Sequence, residues 1–175
     1  MRGRGESDSG DIRFSARWIP DKPDDGKFYT SLAYAVMPNL MLGADYRPLT
    51  ENWGFMATWR ALPETDSRPA LIIGTSDDDF NDLASQNVHA TLSKALFDWQ
   101  GAFFSPYAGA TWIEQLDEVR AIGGLNIAYE NWSATGMYSG TDPHLTVGRR
   151  LFDRYTLSFV WWGLEKPGAA VAGRF

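Results

Sequence analysis

The sequence contains no cysteine among its 175 residues. Disulfide scaffolds and thiolate metal sites are therefore excluded, although the absence of cysteine does not determine the cellular compartment. The chain also lacks the run of roughly 18 apolar residues that a membrane-spanning helix needs. Its longest apolar stretch, residues 31–44, is interrupted by Pro38 and Asn39. A helical membrane protein is therefore excluded as well.

The chain has fewer basic than acidic residues. Lys and Arg total 16 against 22 Asp and Glu, which gives a net charge of -6 and an isoelectric point near 4.8. A nucleic-acid-binding protein would carry a basic patch or stripe, so no nucleic-acid partner is expected. Residues 1–10 are charged and rich in Gly and Ser, without the apolar core of a secretory signal peptide. We interpret them as a flexible N-terminal tail ahead of one domain, residues 11–175.

Aromatic residues, in contrast, are abundant. They make up 14% of the chain, with 8 Trp, 7 Tyr and 10 Phe, although the mean hydropathy is only -0.31. So many large rings argue against a disordered chain. The question is how the fold places these rings in a chain that is hydrophilic on average.

Apolar and polar residues alternate along most of the sequence. Strict alternation indicates β-strands, because successive side chains point to opposite faces. The clearest stretches are residues 12–18, 28–36, 40–47, 53–60, 119–129, 132–139, 144–148 and 155–161, and the weaker ones are 70–75, 87–96, 105–113 and 169–175. Turn-forming sequences at 20–26, 37–39, 139–143 and 165–168 separate several of them. The chain is therefore predicted to be all-β, an antiparallel up-and-down meander of about twelve strands.

The acidic stretch 77–86 allows other interpretations. Its aspartates suit the first turn of a helix, and Asp77, Asp79 and Asn81 have a spacing that calcium ligands can use. The loop Gly and the distal Glu of an EF-hand are both missing. A solvated acidic loop is the favoured interpretation.

The position of the large rings indicates which side of the sheet faces water. Nine of them lie near predicted strand ends, while small and aliphatic residues occupy the middle. Rings at two levels around an aliphatic band are typical of transmembrane β-barrels, whereas a soluble core has little reason to place them so. The candidate membrane-interface aromatics are Trp18, Tyr46, Trp53, Trp59, Tyr129, Trp132, Tyr138, Tyr155 and Trp161.

The opposite face carries small polar residues and single arginines instead of the long Lys and Glu of a wet soluble sheet. This composition suits the crowded lumen of a narrow barrel, where an arginine can pair with Asp45 or a Glu on another strand. The candidate lumen-lining residues are Arg13, Arg17, Asp45, Arg47, Arg60, His89, Arg120, Asn126 and His144. The acidic surplus, including residues 77–79, is assigned to loops. Because only a closed barrel can cross a bilayer with strands, the meander is predicted to close.

The C-terminal Phe175 follows an alternating strand and resembles the terminal aromatic of bacterial outer-membrane barrels. Residues 38–46 and 122–127 are similar to strands of small barrels of unassigned role, loosely the YjbH-like group. The resemblance implies a location in the bacterial outer membrane and recognition of Phe175 by the outer-membrane assembly machinery. It covers about half the chain and carries no functional motif, so it assigns no site residues.

Catalytic chemistry has only weak candidates. Membrane-barrel lipid hydrolases use Ser with His, but His89 and Ser93 lie about 13 Å apart if both are on one strand. A partner on another strand, Ser133 or Thr146, stays open. The carboxylate pairs Asp45 with Glu51 and Asp117 with Glu118 have no distinctive spacing, because glycoside hydrolysis depends on separation in space. The chain is not predicted to be an enzyme, and no cofactor or metal is predicted.

Together these features predict a transmembrane β-barrel in the bacterial outer membrane, whose partner is the lipid bilayer. Its role is that of a narrow pore or of a structural, export-associated barrel with an arginine-lined lumen. If its lumen is open, the arginines favour the passage of small anions. The alternative is a soluble barrel or sandwich that binds an apolar or carbohydrate ligand on its aromatic face.

Overall fold

A computed structural model describes residues 9–80 and 83–175 as a β-barrel with very short connections. Within that part of the chain there are thirteen strands, one helix of four residues and one 3₁₀ turn. The strands are β1 (Ile12–Trp18), β2 (Phe28–Met37), β3 (Leu40–Arg47), β4 (Asn52–Leu62), β5 (Ala70–Phe80), β6 (Leu83–Ser93), β7 (Phe97–Trp99), β8 (Ala102–Ile113), β9 (Glu118–Tyr129), β10 (Trp132–Tyr138), β11 (Pro143–Leu151), β12 (Tyr155–Trp162) and β13 (Lys166–Arg174). The helix α1 is Asp24–Lys27, and the 3₁₀ turn is Glu114–Leu116.

The strands form one closed antiparallel meander. Neighbours in sequence pair with each other, and β13 pairs with β1 to close the ring. β8 pairs with β7 over its first residues and with β6 over the remainder. β6 and β7 therefore occupy a single position in the wall, and the barrel has twelve strands. The predicted all-β class, the antiparallel meander and the strand number are confirmed.

The barrel has two mouths, which we name by the chain termini. The terminal mouth contains the start of β1, the end of β13 and the turns at 38–39, 63–69, 130–131 and 152–154. The far mouth contains the connections at 19–27, 48–51, 114–117, 139–142 and 163–165. Most of these connections have four residues or fewer, so the barrel wall makes up most of the described part of the molecule.

The helical interpretation of residues 77–86 is wrong. β5 runs to Phe80, β6 starts at Leu83, and Asp77 lies opposite Gln86 in an antiparallel ladder. Asp77 is also not part of a solvated loop, because it is buried against Arg47. The strand conformation is favoured because this ladder and the ion pair to β3 both require it. Asn81 and Asp82 lie outside the described residues, so the calcium hypothesis is not tested.

The predicted flexible tail lies mostly outside the described residues. Of residues 1–10 only Ser9 and Gly10 are described. The Gly10 amide donates to the Ala35 carbonyl at 2.9 Å and the Ser9 hydroxyl to the Val36 carbonyl at 3.3 Å. These two residues therefore follow the edge of β2 at the terminal mouth.

Candidate functional site: the barrel interior

The two faces of the wall have opposite chemistry. The buried side chains of the described residues are mostly polar, namely Lys22, Asp45, Arg47, Asp77, Asn87, Thr91, Thr111 and His144, against the apolar Ile19, Ala35, Ala70, Ile113 and Val160. Large apolar side chains at alternate strand positions, such as Leu32, Leu42, Phe55, Leu92, Leu157 and Phe159, are exposed. A water-soluble barrel has the reverse distribution. The polar interior is therefore the candidate functional site.

The candidate lumen residues all lie on the polar side of the alternation, on six strands. Arg13 and Arg17 are on β1, Asp45 and Arg47 on β3, Arg60 on β4, His89 on β6, Arg120 and Asn126 on β9, and His144 on β11. They do not form one site. Asp45, Arg47 and His144 are buried, whereas Asn126, which accepts a hydrogen bond from the Thr135 hydroxyl, stays open to solvent.

An ion-pair network fills one side of the interior towards the far mouth. The Arg47 guanidinium is 0% exposed; its Nη1 lies 2.7 Å from Asp77 Oδ2 and 3.4 Å from Asp45 Oδ1. Nη2 also donates to the Asp77 carbonyl at 2.7 Å. Gly54 lies between the two carboxylates, and a Cβ there would approach Asp45 Oδ1 to 2.6 Å. The glycine therefore provides the space in which β3 and β5 share one arginine.

Five residues around one indole form a second group, which we call the Trp162 cluster: Arg17, Lys22, Tyr29, His144 and Trp162. The Arg17 guanidinium carbon lies 4.4 Å from the Trp162 ring centre and 5.0 Å from that of Tyr29. Lys22 Nζ is 4.1 Å from the same indole, and the His144 ring is 4.0 Å from it. Two cations thus lie over a single aromatic ring, an arrangement stabilised by the ring quadrupole but opposed by repulsion between the cations.

The tautomer of His144 follows from its backbone partner. The Gly163 amide donates to Nδ1 at 3.0 Å. Nδ1 therefore accepts, and the ring is neutral with its proton on Nε2. His144 consequently contributes an N–H donor to the interior and not a positive charge.

A partly open cavity of about 210 Å³ adjoins the Trp162 cluster. Among the described residues, no acidic side chain lines it. It is lined by Ser15, Ala16, Arg17, Tyr29, Met137, His144, Thr146, Ser158, Val160, Trp162 and Ala170. The wall thus combines one permanent cation, the rings of Tyr29 and Trp162 and the aliphatic hydroxyl groups of Ser15, Thr146 and Ser158 with apolar side chains.

The connection between β1 and β2 covers part of the far mouth. It carries α1, which contacts β6, although β3, β4 and β5 separate β2 from β6 in the wall. Lys22 in this connection is only 3% exposed, and Asp25 Oδ1 accepts hydrogen bonds from the Thr50 hydroxyl at 2.7 Å and the Asn52 amide at 3.0 Å. The connection therefore folds over the barrel opening, and we call residues 19–27 the mouth loop.

Basic side chains meet at the terminal mouth. Arg13 experiences the charges of Arg60 and Arg174 and also that of Asp11. Arg174 Nη2 lies 2.6 Å from Asp11 Oδ2. At the far mouth, Arg120 pairs with Glu118 at 2.8 Å, and Arg47 pairs with its two aspartates. Both mouths thus contain ion pairs between arginines and carboxylates.

The nine candidate interface aromatics lie on the outward side, at two levels. Trp18, Tyr46, Trp53, Tyr138 and Trp161 are at the far mouth, and Trp59, Tyr129, Trp132 and Tyr155 at the terminal mouth. All but Tyr46 are exposed. Tyr46 stacks on Trp53 with ring centres 4.4 Å apart. Arg149 lies over Trp132 at 5.3 Å.

The candidate catalytic residues form contacts within the barrel wall and its turns. His89 Nδ1 is 3.3 Å from Asn87 Oδ1. Asp45 is buried beside Arg47, whereas Glu51 is exposed in a turn. Asp117 accepts a hydrogen bond from the Trp112 indole at 3.4 Å. Neither carboxylate pair has the shared environment that acid–base chemistry needs, and the described residues contain no group of three His, Asp or Glu placed to hold a metal.

Sequence reasoning missed several residues of the interior. Asp77 was assigned to a loop, and Lys22 lies in a Pro- and Asp-rich connection that gives no sign of burial. Tyr29 and Trp162 could have been found, because each lies on the polar side of an alternating strand.

Comparison with known proteins adds no assignment. No protein-family model matches the chain, and no curated protein has a matching sequence. Among the described residues there is no helix long and apolar enough to cross a membrane.

Proposed function

We propose that this chain is a β-barrel of the bacterial outer membrane whose interior forms a narrow, anion-preferring pore. One observation carries the membrane location, namely the polarity of the wall. Arg47, Asp45 and Lys22 are buried inside, while Leu32, Phe55 and Phe159 are exposed outside. Exposing these large apolar side chains to water has a large free-energy cost, which contact with lipid removes.

The closure of the barrel supports the same location. A closed ring leaves no unpaired strand edge, which is the condition for crossing a bilayer with strands. Outward rings at two levels, such as Trp18 and Trp53 at one mouth and Trp132 and Tyr155 at the other, suit the two lipid–water interfaces. In this proposal the apolar side chains between them contact the acyl chains.

The pore proposal depends on the charge of the interior. Arg47 is balanced by two aspartates and Arg120 by Glu118. In this proposal Arg13, Arg17 and Arg60 on the inward side of the wall set the selectivity, together with Lys22 in the mouth loop. Basic side chains along a pore lower the energy of an anion and raise that of a cation. Phe175 at the end of the last strand is the proposed signal for the assembly machinery.

A pair of leucine substitutions tests the location. Leu32 is 58% exposed in the middle of β2, and Leu49 is 53% exposed in the far-mouth turn. In lipid, L32K places a charge near the middle of the bilayer and should destabilise the barrel by about 2–4 kcal/mol, whereas L49K should change little. Unfolding in urea, measured in lipid vesicles, gives both values.

Cell fractionation completes the test. The intact gene product should be recovered only with detergent, as a band whose migration changes on heating. Full recovery without detergent, with L32K as stable as L49K, would instead indicate a soluble barrel with an aromatic ligand-binding face. Single-channel recordings test the pore separately, because absent conductance or cation selectivity would refute the pore and not the location.

A further inference from the structure

A positive side chain lies on the outward side of the wall, among apolar and aromatic side chains. Arg149 on β11 is exposed, and the antiparallel register places it opposite Trp132 on β10 and Leu157 on β12. Both neighbours are exposed as well, at 49% and 55%. We infer that Arg149 and Trp132 form a binding site for the headgroup of an anionic phospholipid, an inference that rests on the proposed membrane location.

The level of Arg149 on the wall is the level of the lipid headgroups. Trp132 is the first residue of β10, so the arginine opposite it belongs to the ring of aromatic side chains at the terminal mouth. A charge on the lipid-facing side is costly at the bilayer midplane and much less costly near the interface. The guanidinium is therefore within reach of lipid phosphates and not confined to the acyl chains.

Within residues 9–80 and 83–175, Arg149 has a cation–π contact with Trp132 and no ion pair with a carboxylate. The guanidinium carbon lies 5.3 Å from the indole ring centre. An arginine can stack on an aromatic face and still present its in-plane N–H groups as a fork for two phosphate oxygens. The exposed indole contributes apolar surface and an N–H donor, a combination that suits the headgroup level. The pair thus matches both the charge and the mixed polarity of a phospholipid headgroup.

The turn next to β11 adds positive charge to this sector of the terminal mouth. Arg150 follows Arg149 in β11, Arg154 lies in the turn 152–154, and both are exposed. The acids of the sector are Glu130 and Asp153, so three arginines outnumber two carboxylates. At the far ends of the same strands the connections contain acidic and no basic residues, namely Glu114, Asp117, Asp142 and Glu165. The positive excess is therefore specific to the level of Arg149, and it favours an anionic over a zwitterionic headgroup.

Phosphatidylglycerol is the probe for this site. Phosphatidylcholine, which has a phosphate but no net charge, is its control. In the full chain, folded in neutral detergent micelles, the indole N–H resonance of Trp132, assigned with W132F, should shift as lipid is added. Half of the shift should be reached at a phosphatidylglycerol mole fraction at least about fivefold lower than for phosphatidylcholine. Trp53, on the outward side at the far mouth, should show no such preference. Equal responses of Trp132 to the two lipids, or the same preference at Trp53, would overturn the inference.

Variants identify the anchor. R149Q should remove the preference at the Trp132 resonance, and R149K should restore part of it, because lysine keeps the charge but not the planar fork. R68Q is the matched control, since it removes an exposed arginine from the turn 63–69 at the same mouth, and should keep the preference. A preference unchanged by R149Q would overturn the assignment to Arg149. If R149Q does not fold, the comparison of the two lipids in the unsubstituted chain still decides.

The headgroup site and the membrane location fail in different ways. If L32K is as stable as L49K and the chain is recovered without detergent, both are overturned. A barrel that inserts, but whose Trp132 resonance responds equally to the two lipids, keeps the location and loses the site.

Discussion

The ring of Phe175, the last residue, stacks on that of Phe14 in the first strand, with centres 5.9 Å apart and planes inclined by 19°. Tyr155 meets both rings edge-on, at 5.8 Å from Phe175 and 6.4 Å from Phe14. The Phe175 and Ile12 backbones exchange two hydrogen bonds of 2.9 Å. The terminal aromatic therefore forms part of the seam where β13 closes against β1. Gly173 makes this possible, because a Cβ there would collide with the Phe14 ring.

Phe175 is expected to act in folding and in assembly. F175A removes two aromatic contacts at the seam and should lower the free energy of unfolding by about 1–3 kcal/mol in lipid vesicles. F152A, at a highly exposed turn position, is the control. If the assembly machinery reads Phe175, F175A should reduce the folded fraction in cells far more than its stability loss explains, and F175Y should restore it. Equal yields of F175A and F152A in cells would contradict the signal role.

The buried pair of Arg47 and Asp77 should matter much more than an exposed pair. D77A leaves the Arg47 charge buried with a weaker set of partners and should cost about 3–5 kcal/mol. K27A breaks the exposed pair of Lys27 with Asp24, at 2.9 Å, and should cost less than about 1 kcal/mol. Urea unfolding of both variants in the same vesicles is the measurement. Similar losses for D77A and K27A would show that the Arg47 network does not stabilise the barrel.

The mouth loop is expected to limit the pore. D25A removes the two hydrogen bonds that tether α1 to Thr50 and Asn52, and should favour displacement of the loop by about 1 kcal/mol, about fivefold in equilibrium. Single-channel recordings should then show a larger or more frequent open state. D24A, one residue away, removes the same charge but not these bonds, and should behave as the unsubstituted chain. A D25A channel identical to D24A would show that the loop does not obstruct the pore.

The charge of the terminal mouth should set ion preference. R13Q with R60Q removes two positive charges from the interior and should move the reversal potential in a salt gradient towards that of a cation-preferring pore. R149Q removes one exposed charge from the outward face, where Arg149 lies over Trp132, and should leave it unchanged. The difference should decrease at high salt, because ions screen charges over about 10 Å at 0.1 M and about 3 Å at 1 M. An unaltered potential in the R13Q, R60Q double variant would refute selectivity by these residues.

Alternation was sufficient to predict the class, the meander and twelve strands, because a period of two is a local property of the chain. It also predicted which side of each strand is polar. The acidic stretch 77–86 was the main error: a run of aspartates looks solvated when its partner, Arg47, lies 30 residues away on another strand. The burial of Lys22 could not be predicted either, since a loop residue belongs to no alternating pattern that indicates which way its side chain points.

The sequence by itself thus determined an unusual polarity, with small polar residues and arginines on one face and rings on the other, because each residue's face depends only on its place in the alternation. The tertiary structure decided which charges meet. Arg47 contacts Asp77 because the register of β3, β4 and β5 places Gly54 beside them. Arg17 and Lys22 share the Trp162 indole because the pairing of β1, β13 and β12 brings these residues together. Closure likewise depends on a long-range pairing, that of Phe14 with Gly173 beside Phe175, at opposite ends of the chain.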